Sequence, residues 1–336
     1  MNASFFNLAH YKYFMDLFGM VLVILGLCLF ETINSIDNAI INADVLRGMS
    51  KWARKWFLLW GLIIAVFLVR GLLPWLIVWA TVPQLGPIGA LTATFSSDPM
   101  VISAIELAAP FLLAAAGTFL VFLFFHWLFM EPKNYAHSHE RFFHAQWVWF
   151  YAVVSILLAV MVWFSLNTNP VLALAMVIGS TAFFIMHGFK QNVEKYEHDL
   201  ADSKKGSGMS DISKLMYLEI IDATFSVDGV LGAFAFTLAV PLIILGNGLG
   251  AFVVREITVN NIETIKKYAY LKNGAMYSIF FLGSIMLLDS FKFEVPYFVS
   301  PVITIGIVGY FYYRSWSELK KLKYSEKKSN LKKKKV

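Results

Sequence analysis

The sequence is short of charge and almost without cysteine. Only 15% of its 336 residues are Asp, Glu, Lys or Arg, against about 25% in an ordinary soluble domain. Hydrophobic residues make up 58%, and the mean hydropathy is +0.64. These values exclude an ordinary cytosolic enzyme and a disordered chain. The lone Cys28 rules out an intrachain disulfide and any Cys-based metal site. No His-Glu-x-x-His, Gly-x-Ser-x-Gly or phosphate loop occurs, so the motifs of the common hydrolases and nucleotide enzymes are missing and the chain reads as a non-enzyme.

What is abundant is apolar sequence. A membrane helix needs about 20 mainly apolar residues, and that ruler marks nine candidates, near 15–37, 56–80, 101–129, 146–166, 170–189, 213–235, 237–255, 273–290 and 297–315. The first is not followed by a small-residue cleavage pattern and reads as retained. The connections alternate between rich and poor in Lys and Arg, with 25 on one side, two on the other and Arg70 within a span. By the positive-inside rule this gives nine helices with the N-terminus outside and the C-terminus in the cytoplasm. The expectation is therefore an all-α polytopic protein of a bacterial cytoplasmic (inner) membrane. The formal charge of +6 belongs to the tail: residues 317–336 carry nine Lys against Glu318 and Glu326. A Lys-rich cytoplasmic tail of this kind suits anionic lipid, and nucleic-acid binding is not expected.

Charges inside apolar spans are costly and point to function. Here they form a repeat. Glu31, Ser35, Asp37 and Asn38 in the first half match Asp222, Ser226, Asp228 and Gly229 in the second, and Gly61 to Arg70 matches Gly246 to Arg255 at equal offsets in Gly, Phe, Val and Arg. The first acidic helix would run inward and the sixth outward, so the repeats, at 15–80 and 213–255, are inverted. Inverted repeats with midplane sites on broken helices are a hallmark of secondary transporters. The chain divides into a first half at 1–189 with helices 1 to 5, a cytoplasmic hinge at 190–212, a second half at 213–316 with helices 6 to 9, and the tail. Acids six residues apart on an ideal helix point about 120° apart, so either the helix unwinds locally or each acid faces a different neighbour.

Four carboxylates, Glu31, Asp37, Asp222 and Asp228, with Asn38 beside them, are hard oxygen ligands suited to Mg²⁺, Mn²⁺ or Ca²⁺. Asn34, Ser35, Glu219, Ser226, Asn247, Arg70 and Arg255 would support them. The four acids less the two arginines leave a charge that one divalent ion neutralises; alternatively the carboxylates share protons, which also offers exchange of metal against protons. No resident cofactor is expected, because the ion would be substrate. The cluster of His137, His139, Glu140 and His144 on the cytoplasmic 131–145 connection reads mainly as polar surface, with a transition-metal site as the sharper alternative.

These residues and spacings resemble the TerC family of integral membrane proteins, in the superfamily that includes the lysine exporters, and within it the bacterial and phage branch. Glu31 with Asp37-Asn38 matches the first family motif. Glu219, Asp222 and Asp228 match the second, and Asn247 with Arg255 a following Asn-x7-Arg element. Gly229 departs from the polar neighbour often found there, and the region 81–190 is longer than in compact members. The resemblance implies metal-ion transport, foremost manganese export, with a link to tellurite resistance. Two other readings stay open: a membrane scaffold or metal-delivery partner without transport of its own, and an exporter of a small cationic solute.

Overall fold

The computed structural model describes residues 17–333, apart from 62, 65, 67–69, 93–98, 134–136, 202–209, 259–264, 266 and 294. The side chains of Asp37, Ile41, Asp44, Arg47, Ile102, Ser138, Ile221 and Phe225, and those of 192–201 and 322–333, also lie outside the description. Among the described residues the protein is helical and has no strand.

In chain order the helices are α1 (Leu17–Asn34), α2 (Ile36–Arg47), α3 (Lys51–Trp56), α4 (Leu72–Thr81), α5 (Gly86–Thr92), α6 (Pro99–Met130) and α7 (Ser138–Ala145). There follow α8 (Phe150–Thr168), α9 (Pro170–Ala201), α10 (Asp211–Phe225), α11 (Val227–Ala233), α12 (Val240–Glu256), α13 (Leu271–Ser290) and α14 (Val299–Lys333).

Five stretches are long and apolar enough to cross a bilayer as single helices: 17–34, 99–130, 147–168, 170–191 and 271–290. A sixth candidate is the pair α4 and α5, which bends by 107° at its break and is held by the Trp75 indole N–H donating to the Pro87 carbonyl at 2.7 Å. The structure thus gives a multi-pass helical membrane protein, while the count of nine is not recovered. The stretch 56–80 is no single helix: α3 passes into a π-helical turn at Phe57–Gly61, and Arg70 and Gly71 stand in a turn before α4. The stretch 213–235 is split at Ser226. Apolar composition cannot report these breaks, because a broken apolar segment is as oily as a straight one.

The centre of the bundle is α6 and α13, with 61% of each span buried, whereas only 22% of the 147–168 span is covered and its Trp163 and Phe164 face outward. Close approach of α6 to its neighbours depends on glycine. A Cβ on Gly179 of α9 would lie 2.1 Å from the Ala115 carbonyl oxygen, and one on Gly117 2.9 Å from the Gly283 carbonyl oxygen. Phe119 and Phe122 of α6 meet the edge of Phe183 in α9, and Phe124 stands against Phe280 of α13. Against this wall α12 packs on α1 and α14 packs on α1 and α13, which brings the two repeats face to face.

Candidate functional site

Both acidic helices are kinked at the matching serine. Between α1 and α2 Ser35 has ψ of 2°, and between α10 and α11 Ser226 has ψ of −14°, well short of the −42° of a regular helix. One helix ends and the next begins on each serine: the Ser35 N–H donates to Glu31 O at 3.1 Å and Ala39 N–H to Ser35 O at 2.9 Å, as Ser226 N–H does to Asp222 O at 3.0 Å and Val230 N–H to Ser226 O at 3.0 Å. In the second segment the two acids, Asp222 and Asp228, meet different neighbours. The serine hydroxyls help to set the bend. Ser226 Oγ donates to the Asp222 carbonyl at 2.5 Å, a back-bond that bends helices, and Ser35 Oγ donates to Glu31 Oε1 at 2.7 Å.

Around these kinks the described carboxylates are matched with cations. Glu31, 1% exposed, receives Arg70 Nε at 2.8 Å and Nη2 at 2.5 Å on Oε1. Asp222 receives Asn38 Nδ2 at 2.5 Å and lies 3.6 Å from Arg70 and 3.8 Å from Arg255. These contacts join the repeats, since Arg70 and Asn38 come from the first and Asp222 from the second. Glu219 stands 3.9 Å from Arg255. Arg255 also donates to the Phe57 carbonyl at 2.8 Å and stacks over the Phe57 ring at 3.8 Å, so it is held inside rather than extended to a membrane surface. Buried charges need such pairing, because an unpaired charge in a low-dielectric interior loses several kcal/mol of solvation.

Pairing leaves several oxygens over. Glu31 Oε2, Asn38 Oδ1, Asn42 Oδ1, Glu219 Oε1 and Asp228 Oδ1 are buried without a hydrogen-bond partner, and so are both polar atoms of Asn247, which is wholly buried. Glycines make the space: a Cβ on Gly229 would come within 2.7 Å of Glu31 Oε2 and 3.4 Å of Asn34 Nδ2, and one on Gly61 would overlap Glu219 Oε1 at 2.1 Å. Gly229 thus gives the Glu31 carboxylate its room. Asp37 belongs to α2, but its side chain lies outside the described residues. Among the described residues no three His, Cys, Asp or Glu side chains are gathered as a ready-made metal site. The acids sit with arginine, asparagine and lysine instead.

A model of a family described as a protein of unknown function, DUF475, matches residues 36–321. The chain belongs to the DUF475 family. Over 89 residues this DUF475 chain is 32% identical to the uncharacterized membrane protein YceF of Bacillus subtilis (strain 168), a stretch covering 26% of the chain and 35% of that relative. It thus spans about a third of the relative's length. No solved structure matches.

Sequence reasoning on the DUF475 chain missed one site residue. Lys190, counted there as a cytoplasmic loop charge, lies within α9 and reaches Asp228 Oδ2 at 2.5 Å, with both side chains largely buried. Its position at the end of an apolar run hides it: a lysine there reads as a topology marker. The histidine cluster resolves into packing. Glu140, fully buried, takes the His137 N–H and the Asn273 amide on Oε2, each at 2.8 Å, while His139 Nε2 meets the Tyr277 hydroxyl at 2.7 Å and His144 Nδ1 meets the Phe129 carbonyl at 3.1 Å. His126 and His187 are packed together, with ring centroids 3.9 Å apart, rather than turned out to the surface.

Proposed function

We propose that this protein is a membrane transporter of cations, with divalent ions and Mn²⁺ foremost among them, working through a site shared by the two kinked acidic segments. The single observation that carries the reading is the set of partnerless buried oxygens beside two matching helix kinks. Those atoms are carboxylate oxygens or belong to amides, and their oxygens are the hard donors that suit Mg²⁺, Mn²⁺ or Ca²⁺. Acceptors left bare inside a protein are costly, and a passing cation supplies what they lack. Kinks at equivalent serines give each half a bend at which the helix can flex, as broken helices do in inverted-repeat transporters. The resemblance to the TerC family, the nine-span topology with both halves inverted, and a bacterial inner membrane belong to this same reading.

Purified protein in sealed vesicles, loaded with a Mn²⁺-quenched dye, provides the test. Wild type is expected to carry Mn²⁺ in competition with Ca²⁺, and Asp228→Asn or Asp222→Asn to reduce the flux at least tenfold with normal insertion. Equal flux in wild type and empty vesicles would sink transport of divalent ions. Lysine flux in the same vesicles would move the reading to a small cationic solute. The two-point contact of Arg70 with Glu31 favours one further reading, a static polar clamp in a membrane scaffold, and complete absence of flux for either solute would leave that in its place.

A further inference from the structure

We propose that the Lys190 ammonium is a resident stand-in for the transported cation at Asp228, so that cation occupancy and the Lys190–Asp228 contact exclude one another. This rests on the cation-transport reading and names the residue that guards its site.

The argument begins with charge. The described side chains of the site hold four carboxylates, Glu31, Glu219, Asp222 and Asp228, against three cations, Arg70, Arg255 and Lys190. Among the described side chains, taking Lys190 away adds one negative charge to the site and frees Asp228. With Lys190 in place, a cation brought to the same carboxylate would stand a few ångströms from the ammonium, where like charges repel strongly.

Geometry separates Lys190 from the other two cations. Arg70 grips Glu31 with two nitrogens, and Arg255 is pinned by the Phe57 carbonyl and ring as well as by two acids. A planar guanidinium held at several points is a fixed fixture; a lysine is a compact charge on a flexible four-carbon stem. Lys190 meets Asp228 end-on through Nζ on Oδ2, while Oδ1 has no partner. It is also held from a different element: Lys190 stands on α9, the helix that precedes the 202–209 segment, and Asp228 follows the Ser226 kink by two residues. A change of bend at Ser226 therefore alters this contact directly. The half-filled carboxylate and the flexible ammonium together make Asp228 a group that is paired while Lys190 holds it and can be vacated for a cation.

The test uses the full chain in nanodiscs with Mn²⁺ as probe, bound ion being followed by loss of the free Mn²⁺ spin-resonance signal. Lys190→Gln is expected to tighten Mn²⁺ binding at least tenfold, Lys190→Arg to stay within about threefold of wild type or weaken it, and Asp228→Asn to weaken it at least tenfold. A second measurement needs no variant that might misfold: the rate of acetylation of Lys190 in wild type, read by mass spectrometry, is expected to rise at least threefold at saturating Mn²⁺. Mn²⁺ binding in wild type with Lys190→Gln unchanged or weaker, or with Lys190 acetylation unmoved, overturns the stand-in role and leaves the transport reading intact. No Mn²⁺ binding in wild type, Lys190→Gln or Lys190→Arg overturns both.

Discussion

Arg70→Met is expected to lower the unfolding free energy by about 3–5 kcal/mol, the range for removing one partner of a buried ion pair. The substitution leaves Glu31, 1% exposed, with Ser35 Oγ on Oε1 and no partner on Oε2. It also strips Asp222 of one of its two arginines. Because the cost is that of a stranded charge, Glu31→Gln with Arg70→Met should be less damaging than the two single changes added together, a coupling that a double-mutant cycle reads directly. Denaturant or thermal unfolding in lipid nanodiscs, followed by tryptophan fluorescence, supplies the four midpoints. Additive effects, or an Arg70→Met protein within 1 kcal/mol of wild type, would show that the pair contributes no mutual stabilisation.

Gly250→Ala is expected to damage both the packing of α12 on α1 and the site beside it. An added Cβ would lie 2.8 Å from the Cys28 carbonyl oxygen and 2.6 Å from Glu31 Cβ. Neither is the tip of a flexible chain, so α12 must move off α1 as a body. Overpacking of this sort costs about 1–3 kcal/mol and sometimes more, and here it also shifts Glu31 relative to Arg70. The contrast is Gly306→Ala in α14, where a Cβ meets nothing within 4 Å and the helix gains the roughly 1 kcal/mol by which alanine exceeds glycine. The two variants should move the unfolding midpoint in opposite directions. A Gly250→Ala protein as stable as wild type would mean that α1 and α12 have slack at this crossing.

Much of this was legible beforehand, and the reasons for the remainder are physical. The matched spacing of Glu31, Ser35 and Asp37 with Asp222, Ser226 and Asp228 singled out the two segments, and in the structure a helix breaks at the serine of each. Arg70 and Arg255 were expected as support, and the structure places them against Glu31, Asp222 and Glu219. Lys190 was hidden because a lysine at the end of an apolar run looks the same whether it turns to water or folds back onto Asp228. The bends at 57–61, 70–71 and 82 were hidden because hydropathy averages over a window and is blind to direction. Gly229 and Gly250 looked like ordinary membrane-helix glycines. Only their distance from Glu31 reveals that their missing side chains are what let a carboxylate lie inside the bundle.

The last helix has a mechanical consequence. α14 continues without a break from Val299 to Lys333, and its apolar part ends near Trp316, after about 27 Å of rise. The remaining turns extend the rod by roughly 25 Å. Lys320 and Lys321 thus lie within about two turns of the apolar part, and the helix backbone runs on to residue 333. Helix length sets, as a ruler sets a mark, how far each turn of 317–333 stands from the apolar part of the same rod.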